Sequence, residues 1–298
     1  MIAGFTVKPK NRQSTAIGLY CVLSLVRGNA MLELYHNAVS TCSQKVRLVL
    51  AHKGLEFTSH EVDLLGGGQH APEYVKLNPN HVVPTLIHDG AVLIESSLIN
   101  EYVNDAFPEP AMLPADPAAR HGARLWPKLL DDKIHPATGV VTFAIGPRSI
   151  LLRQPKEVRE ANVNAIPDPV RRAVRRSVIE NGVKAPEFAG ALRTLVGLLD
   201  RMEKALPAPA GWLSGQAFGL ADAGVLPYVL RLDHLFITSA IEARPKVLDW
   251  YQRVQALSAF TTGVSEWLAP PMVGMMRSNG EAVWDEVAPL LEAGPENS

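Results

Sequence analysis

The stretch VPTLIHDGAVLIES, residues 83–96, limits the possible folds more than any other segment of this chain. Two short β runs, Thr85 to His88 and Val92 to Ile94, meet at Asp89-Gly90. Asp-Gly is a dipeptide that suits a tight hairpin because both residues tolerate positive φ. Val83 precedes a proline and is pushed toward an extended conformation. Its backbone N–H and C=O can then pair with an extended peptide as an added strand would. From Ser96 a helical pattern runs to about Ala106. Glu95 and Ser96 thus stand at a helix start, where free amide N–H groups and the helix dipole favour an anion. Plain N-capping accounts for the same dipeptide equally simply.

The flanking segments extend the pattern. MLELYH, from Met31, reads as a strand. AVSTCSQKVRLVLAHKG, residues 38–54, reads as a helix with an apolar side of Val46, Leu48, Val49 and Leu50, stopped at Lys53-Gly54. FTSHEVDL (57–64) reads as a strand, and Gly66 to Gly68 form a loop. The order is βαβ followed by ββα, a small α/β module with a mixed sheet. PEPAMLPADP (108–117) breaks helix and strand and serves as a linker. Beyond it helical patterns dominate: Ala118 to Ile134, Pro186 to Leu206, Leu220 to Leu235 and Pro245 to Leu257. The expected domains are an α/β unit at 31–108 and an all-α unit at 117–270. The second carries an insertion around 146–184, and a C-terminal tail spans 271–298. Residues 1–30 read as a leader or start-site artefact outside the fold, because the apolar run Ala16 to Val26 is too short to span a bilayer.

Composition narrows the chemistry. Among 298 residues the net charge is −1, which argues against nucleic acid, and the one dense basic run, Arg171 to Arg176, reads as a solvated helix face. Two cysteines, Cys21 and Cys42, suit a reducing compartment and hence the cytoplasm. The nine histidines form no HExxH pattern and no CxxC pair is present, so no metal is expected.

In this order the motifs resemble the glutathione transferase superfamily over residues 31–265. STCSQKVRLVL is similar to the first helix of the zeta-like classes, VVPTL to the family's Val-Pro turn, ESSLINEYV to its acidic-Ser motif, and FGLADAGVLP to its capping motif in the C-terminal domain. The resemblance implies a thioredoxin-like N-terminal domain, a helical C-terminal domain, a homodimer, and glutathione as co-substrate. It makes Pro84 cis, with Val83 holding the cysteinyl part of glutathione and Glu95 with Ser96 holding its γ-glutamyl end. It places Ser40 as the hydroxyl that stabilises the glutathione thiolate. Cys42 matches the cysteine of glutathione-dependent reductive dehalogenases of chlorinated hydroquinones, and zeta-class isomerases carry one there too. Thr41 and Ser43 are assigned to capping or filling.

Three departures stand out. Val82 replaces the glutamine many relatives carry, as in the dehalogenase-type sequence. Gly219 sits where the capping motif usually has Ser or Thr, although Asp222 remains. The residue meeting the glycine carboxylate is not assigned, with His70 and Lys76 as candidates. The insertion is similar to the extended segment of β-etherase and dehalogenase-like transferases, and reads either as a cover over the electrophile pocket or as a peripheral elaboration. Trp126, Leu130, His135 and Phe143 are candidate pocket residues. The expectation is a cytoplasmic transferase that conjugates glutathione to, or displaces a group from, a small aromatic electrophile, in aromatic metabolism or detoxification. Two alternatives are a reductive dehalogenase, β-etherase or cis–trans isomerase using Cys42, and a non-catalytic binding module of the same fold. Simple conjugation ranks ahead of thiol exchange, because a side chain two positions past Ser40 points elsewhere on a regular helix.

Overall fold

The computed structural model describes residues 31–292. The readings of residues 1–30 and of the last six residues lie outside the described part. The N-terminal unit contains β1 (Leu32–His36), α1 (Thr41–His52), β2 (Thr58–Glu61), α2 (Pro72–Leu77), β3 (Thr85–His88), β4 (Ala91–Leu93) and α3 (Ser96–Ala106). The sheet order is β2-β1-β3-β4. β1 runs parallel to β2 and antiparallel to β3, with Leu34 opposite Leu86, and β3 pairs antiparallel with β4 across Asp89-Gly90. This is the mixed thioredoxin-like sheet expected from the sequence.

α1 departs from a simple amphipathic helix. Val46, Leu48, Val49 and Leu50 are buried, and so are Gln44, Lys45 and Arg47. A helix buried all round needs neighbours on every side. α1 shares one core with Leu34 and Leu86 of the sheet and packs against α3 and against two helices of the second unit, Leu220–His234 and Ser258–Gly263.

The helical unit begins with α4 (Pro117–Leu129), capped by Asp116 at 2.8 Å. A π-helical turn, Leu130–Ile134, leads into α5 (His135–Ile145). The sequence predicts one helix to Ile134. The structure widens it because Pro136 has no N–H to donate, and the His135 N–H bonds five residues back to the Leu130 carbonyl. The insertion folds as α6 (Arg148–Arg153), α7 (Lys156–Asn164) and α8 (Pro169–Asn181). Leu151, Val163 and Ile179 form its own small core, with Leu65 of the N-terminal unit packed against it. Gln154 Nε2 donates to the Leu65 carbonyl at 3.2 Å. The insertion therefore bridges the two units and is not a peripheral elaboration.

α9 (Phe188–Ala205), α10 (Leu220–His234), α11 (Thr238–Glu242), α12 (Pro245–Gln255) and α13 (Ser258–Gly263) complete the expected bundle. The segment read as a tail is instead two further helices, α14 (Pro270–Ala282) and α15 (Trp284–Glu292), with Met276 and Val287 buried. Gly280 allows this docking, since a Cβ there would stand 2.0 Å from the Leu235 carbonyl oxygen. The helical domain thus continues past residue 270 to at least 292.

The half-present cap of α10 is completed from elsewhere. Asp222 accepts from Leu213 N (2.8 Å), Ser214 N (3.1 Å), Gly219 N (3.1 Å) and Trp250 Nε1 (2.8 Å). Ser214 Oγ accepts the Ala221 N–H at 3.1 Å, the bond a Ser at 219 would make. No side chain fits at 219, because a Cβ would lie 2.4 Å from the Met112 carbonyl and 2.7 Å from Ser214. Gly219→Ser, which restores the usual motif, should therefore destabilise the fold by about 1–3 kcal/mol. Urea denaturation would show it, and an unchanged midpoint would refute the steric account.

Candidate active site

The site is built on the start of α1, and the loop before it is held by two buried arginines. Arg47 Nη1 donates to the Asn37 carbonyl (3.0 Å), Nη2 to the Ala38 carbonyl (2.9 Å) and Nε to the Gly263 carbonyl (3.0 Å). Arg231, from α10, donates to the Val39 carbonyl. His36 Nδ1 accepts from Arg47 at 2.9 Å. Burial, then the Arg47 charge and His60, bring the His36 pKa down to about 4, so the ring stays neutral and accepts.

A cavity of about 310 Å³ opens between the two units at this point. One wall carries Cys42, Val83, Pro84, Glu95 and Ser96, and the facing wall Asp131 and His135. The Val83–Pro84 peptide is cis. Among the described residues nothing hydrogen-bonds to the Val83 backbone, whereas the Val82 carbonyl is taken by Tyr74 Oη (2.6 Å) and Asn78 Nδ2 (2.9 Å). Val83 therefore presents the open peptide edge that an extended ligand needs. Glu95, at φ 69, precedes α3 in a conformation uncommon for a side-chain-bearing residue, and its Oε1 accepts from Asn80 at 3.0 Å. Its side chain does not cap α3. Ser96 is 7% exposed and faces the cavity.

The structure separates Ser40 from Cys42. Ser40 is the N-cap of α1, its Oγ accepting the Ser43 N–H at 3.3 Å, and it does not line the cavity. Cys42, half-buried, does. On a regular helix through both positions Cys42 would point away from the side that Ser40 faces. The helix instead starts at Thr41 and Ser40 is extended, so Cys42 is free to face the opening. Ser43 is fully buried and its Oγ accepts from Asn37 N, a structural role as expected.

The electrostatics centre on Cys42. Its Sγ lies 3.5 Å from His135 Nδ1, and Tyr228 Oη lies 3.5 Å from the same nitrogen. Lys45 Nζ, with no exposed side-chain surface, donates to Asp131 Oδ1 (3.3 Å) and Ser97 Oγ (3.4 Å), and stands 5.3 Å over the Tyr228 ring. Ser97 closes the triangle by donating to Asp131 at 3.0 Å. Burial alone pushes the Cys42 thiol up. The charges of His135 and then Lys45, helped by hydrogen bonds from His135 and Ser96, outweigh it and bring the pKa from 9.0 to about 6.

Sequence reasoning found His135 as a pocket candidate but gave it no partner. It placed Lys45 one turn past Cys42 as a group favouring the thiolate, and missed Asp131, Ser97 and Tyr228. Pro136 was an available signal, since it marks the break that turns Asp131 and His135 together. Trp126 and Leu130, the other candidates, are core residues, and Phe143 packs under Arg175 of the insertion. Lys76 is exposed on α2, while His70 Nδ1 lies 3.0 Å from His81 Nδ1.

A thioredoxin-like sheet with an open edge beside a cis proline, joined to a helical unit across a thiol-bearing cavity, defines a glutathione-binding class of fold. The comparisons agree. The family models described as Glutathione S-transferase, N-terminal domain and C-terminal domain match residues 39–106 and 184–253. Maleylacetoacetate isomerase of Pseudomonas aeruginosa is 42% identical over 231 residues, 76% of this chain and 91% of that protein. Protein LigF of Sphingobium sp. is 32% identical over 194 residues, 64% of this chain and 75% of that protein. The crystal structure of beta-etherase LigF superposes with a TM-score of 0.72 at 29% identity, covering 79% of this chain and 99% of that one. The tetrachloro-p-hydroquinone reductive dehalogenase of Sphingobium chlorophenolicum is 26% identical over 78% of this chain and 94% of that protein. The chain belongs to the glutathione S-transferase family of glutathione-dependent enzymes. Among the described residues no group of histidines, cysteines and carboxylates is placed to hold a metal, and no helix is long and apolar enough to cross a membrane.

If Cys42 ionises with a pKa of about 6, its alkylation by iodoacetamide should reach half its maximal rate near that pH. Below it the protonated thiol is unreactive, and above it the rate is flat. His135→Gln should move the midpoint upward. A wild-type midpoint in the ordinary thiol range of about 8.5 would contradict the assigned geometry.

Proposed function

We propose that this enzyme transfers the sulfur of glutathione to a small, apolar, aromatic electrophile. The observation that carries the reading is the cavity, which brings the open Val83 edge, the Glu95-Ser96 helix start and the Cys42–His135 pair together. Glutathione lies along Val83 and Pro84, with its γ-glutamyl carboxylate at the amides of α3 and its ammonium at Glu95. Its thiol reaches the start of α1. Ser40 stands outside the cavity lining at the cap of α1, its Oγ accepting the Ser43 N–H, and its one O–H is left for a sulfur brought up to that helix start. The thiolate attacks carbon, the S–C bond forms, and the bond to a halide or aryl ether oxygen breaks. The leaving oxygen takes its electron pair and a proton, for which His135 is the nearby donor. Kinship with LigF, a beta-etherase, supports an ether as the group displaced.

A second reading is favoured by one observation, Cys42 facing the cavity with its Sγ 3.5 Å from His135 Nδ1. In it Cys42 attacks the sulfur of a glutathionyl–aryl conjugate, forming a Cys42–glutathione disulfide and releasing the aryl carbon with the electron pair, which is then protonated. A second glutathione thiolate attacks the disulfide, freeing Cys42 and leaving oxidised glutathione. Kinship with the reductive dehalogenase supports it.

Leu98 of α3 and Leu125 of α4, helices tied by Arg124–Glu101 at 2.7 Å, are 65% and 44% exposed. They suit the homodimer that the family typically forms. Cytoplasmic residence is the matching proposal, on cysteine usage.

Aryl ethers and chlorinated hydroquinones, assayed against three variants, separate the readings. Ser40→Ala should lower turnover by about 10–1000-fold with glutathione binding kept, as for one lost oxyanion-type donor. Glu95→Ala with Ser96→Ala should raise chiefly the KM for glutathione. Cys42→Ser should keep most displacement activity, because glutathione supplies the nucleophile. If it instead stalls with a glutathionyl conjugate accumulating, the exchange reading holds. Native kinetics in all three variants would refute both.

A further inference from the structure

Tyr228 of α10 is fully buried in the core of the helical unit, where a phenylalanine would fill the same space without desolvating a hydroxyl. Among the described residues that hydroxyl has no partner outside the Cys42–His135 pair. Its Oη lies 3.5 Å from His135 Nδ1, the nitrogen that is also 3.5 Å from Cys42 Sγ, and it hydrogen-bonds Cys42 as well. The ring makes two more contacts with the same group. It meets the His135 ring edge-on, centroids 6.2 Å apart at 75°, and Lys45 Nζ stands 5.3 Å over its face. One residue thus touches both side chains whose charges lower the Cys42 thiol. It does not line the cavity, so it stands behind the pair and away from a substrate.

The phenol does not act by giving up its proton. Burial, then the charges of Cys42 and Asp131, hold its pKa well above the ordinary phenol range. It is therefore protonated wherever Cys42 ionises, and it offers one O–H and two lone pairs. Beside a thiolate and a charged imidazole both are used. Oη accepts the Nδ1–H of His135 and donates its own hydrogen to Cys42 Sγ, so the hydroxyl bridges the two charges. The ring face likewise receives the ammonium of Lys45, which has no exposed side-chain surface and is otherwise held by Asp131 and Ser97. Arg231, three residues on along the same side of α10, donates to the Val39 carbonyl in the loop before α1. A single face of α10 thus grips both the loop and its thiol.

We propose that Tyr228 is a positioning residue for the Cys42 thiolate, its hydroxyl bridging Cys42 and His135 and its ring carrying Lys45. This bears on the second reading above, in which Cys42 is the attacking group. The other charged groups lining the cavity with Cys42 are Glu95 before α3, Asp131 of the π-helical turn, and Asp168 and Arg171 at the start of α8. All four are kept in the variants below.

The test is the pH dependence of iodoacetamide alkylation of the full-length protein, read at Cys42 by peptide mass spectrometry. It uses no glutathione, so its outcome is independent of whether glutathione binds. Tyr228→Phe, which keeps the ring and the volume, should move the midpoint upward by about one pH unit, the low end for a hydrogen bond made to a charged group. Tyr228→Leu, which also takes the ring from Lys45, should move it further. In a His135→Gln background Tyr228→Phe should shift the midpoint less than it does in the wild type, because the bridge has already lost one end. A residue that served packing alone would lower thermal stability when replaced and leave the midpoint in place. An unmoved or lowered midpoint in Tyr228→Phe overturns the proposal, and so does a shift as large in the His135→Gln background as in the wild type. Equal midpoints in Tyr228→Phe and Tyr228→Leu overturn the part assigned to the ring.

Discussion

The start of α1 is held in place by its carbonyls. Asn37, Ala38 and Val39 form a loop whose three backbone oxygens are each bound by a buried guanidinium, two by Arg47 and one by Arg231. Left without partners, such buried carbonyls would each cost about 1–3 kcal/mol. Arg47 comes from α1 itself, and Arg231 from α10 in the other unit. The loop is therefore fixed relative to both units at once, and Cys42 and Ser40 are fixed with it. His36 completes the arrangement by staying neutral and accepting from Arg47, since a protonated ring there would face a guanidinium at 2.9 Å. An Arg is required because Lys offers no planar fork to serve several carbonyls.

From this anchor the cavity is assembled by opposed charges. Lys45, buried on α1, reaches across to Asp131 of the π-helical turn, so the cation that favours the Cys42 thiolate is also a tie between the units. The turn that presents Asp131 exists because Pro136 withholds a donor. One proline thus sets the register of both Asp131 and His135. At the other end the insertion rests on the Leu65 carbonyl through Gln154 and Asn162, and Arg171 of α8 joins the cavity lining there.

The parts legible in the sequence were those decided locally. The hairpin at Asp89-Gly90 and the start of α3 at Ser96 follow from residues within a few positions, and the structure has them there. What could not be read was decided by partners distant in the chain. Gly219 looked like a lost cap, yet the cap comes from Ser214 and the glycine is required by the Met112 carbonyl. PPMVGMMRSNG looked like a tail because its prolines and glycines are poor local signals. Gly280 is instead what lets α14 approach Leu235. Arg171 to Arg176 looked like one solvated face, but only Arg171 is exposed, while Arg172 holds the Ile166 carbonyl, Arg176 pairs with Glu160 and Arg175 stacks on Phe143. Ser40 and Cys42 were ranked by helical periodicity, and the extended conformation of Ser40 removed the premise.

That last point bears on how two sulfurs share one site. In the proposed function, the thiol of bound glutathione would join that of Cys42 at the N-terminus of α1, and both would be drawn to the same stabilisers, the helix dipole and His135. Two thiolates at van der Waals distance repel, so their ionisations are coupled and only one is strongly favoured at a time. With glutathione absent, His135 and Lys45 belong to Cys42. With it bound, Ser40 offers the incoming sulfur a separate donor, and Cys42 is pushed toward its neutral form. A neutral Cys42 is a poor nucleophile, and displacement by glutathione proceeds unimpeded. Once that sulfur has lost its charge by bonding to carbon, the repulsion is gone and Cys42 ionises again beside a thioether. The proposed function then orders the chemistry: conjugation first, and exchange open only to a conjugate that stays in the cavity long enough to be attacked.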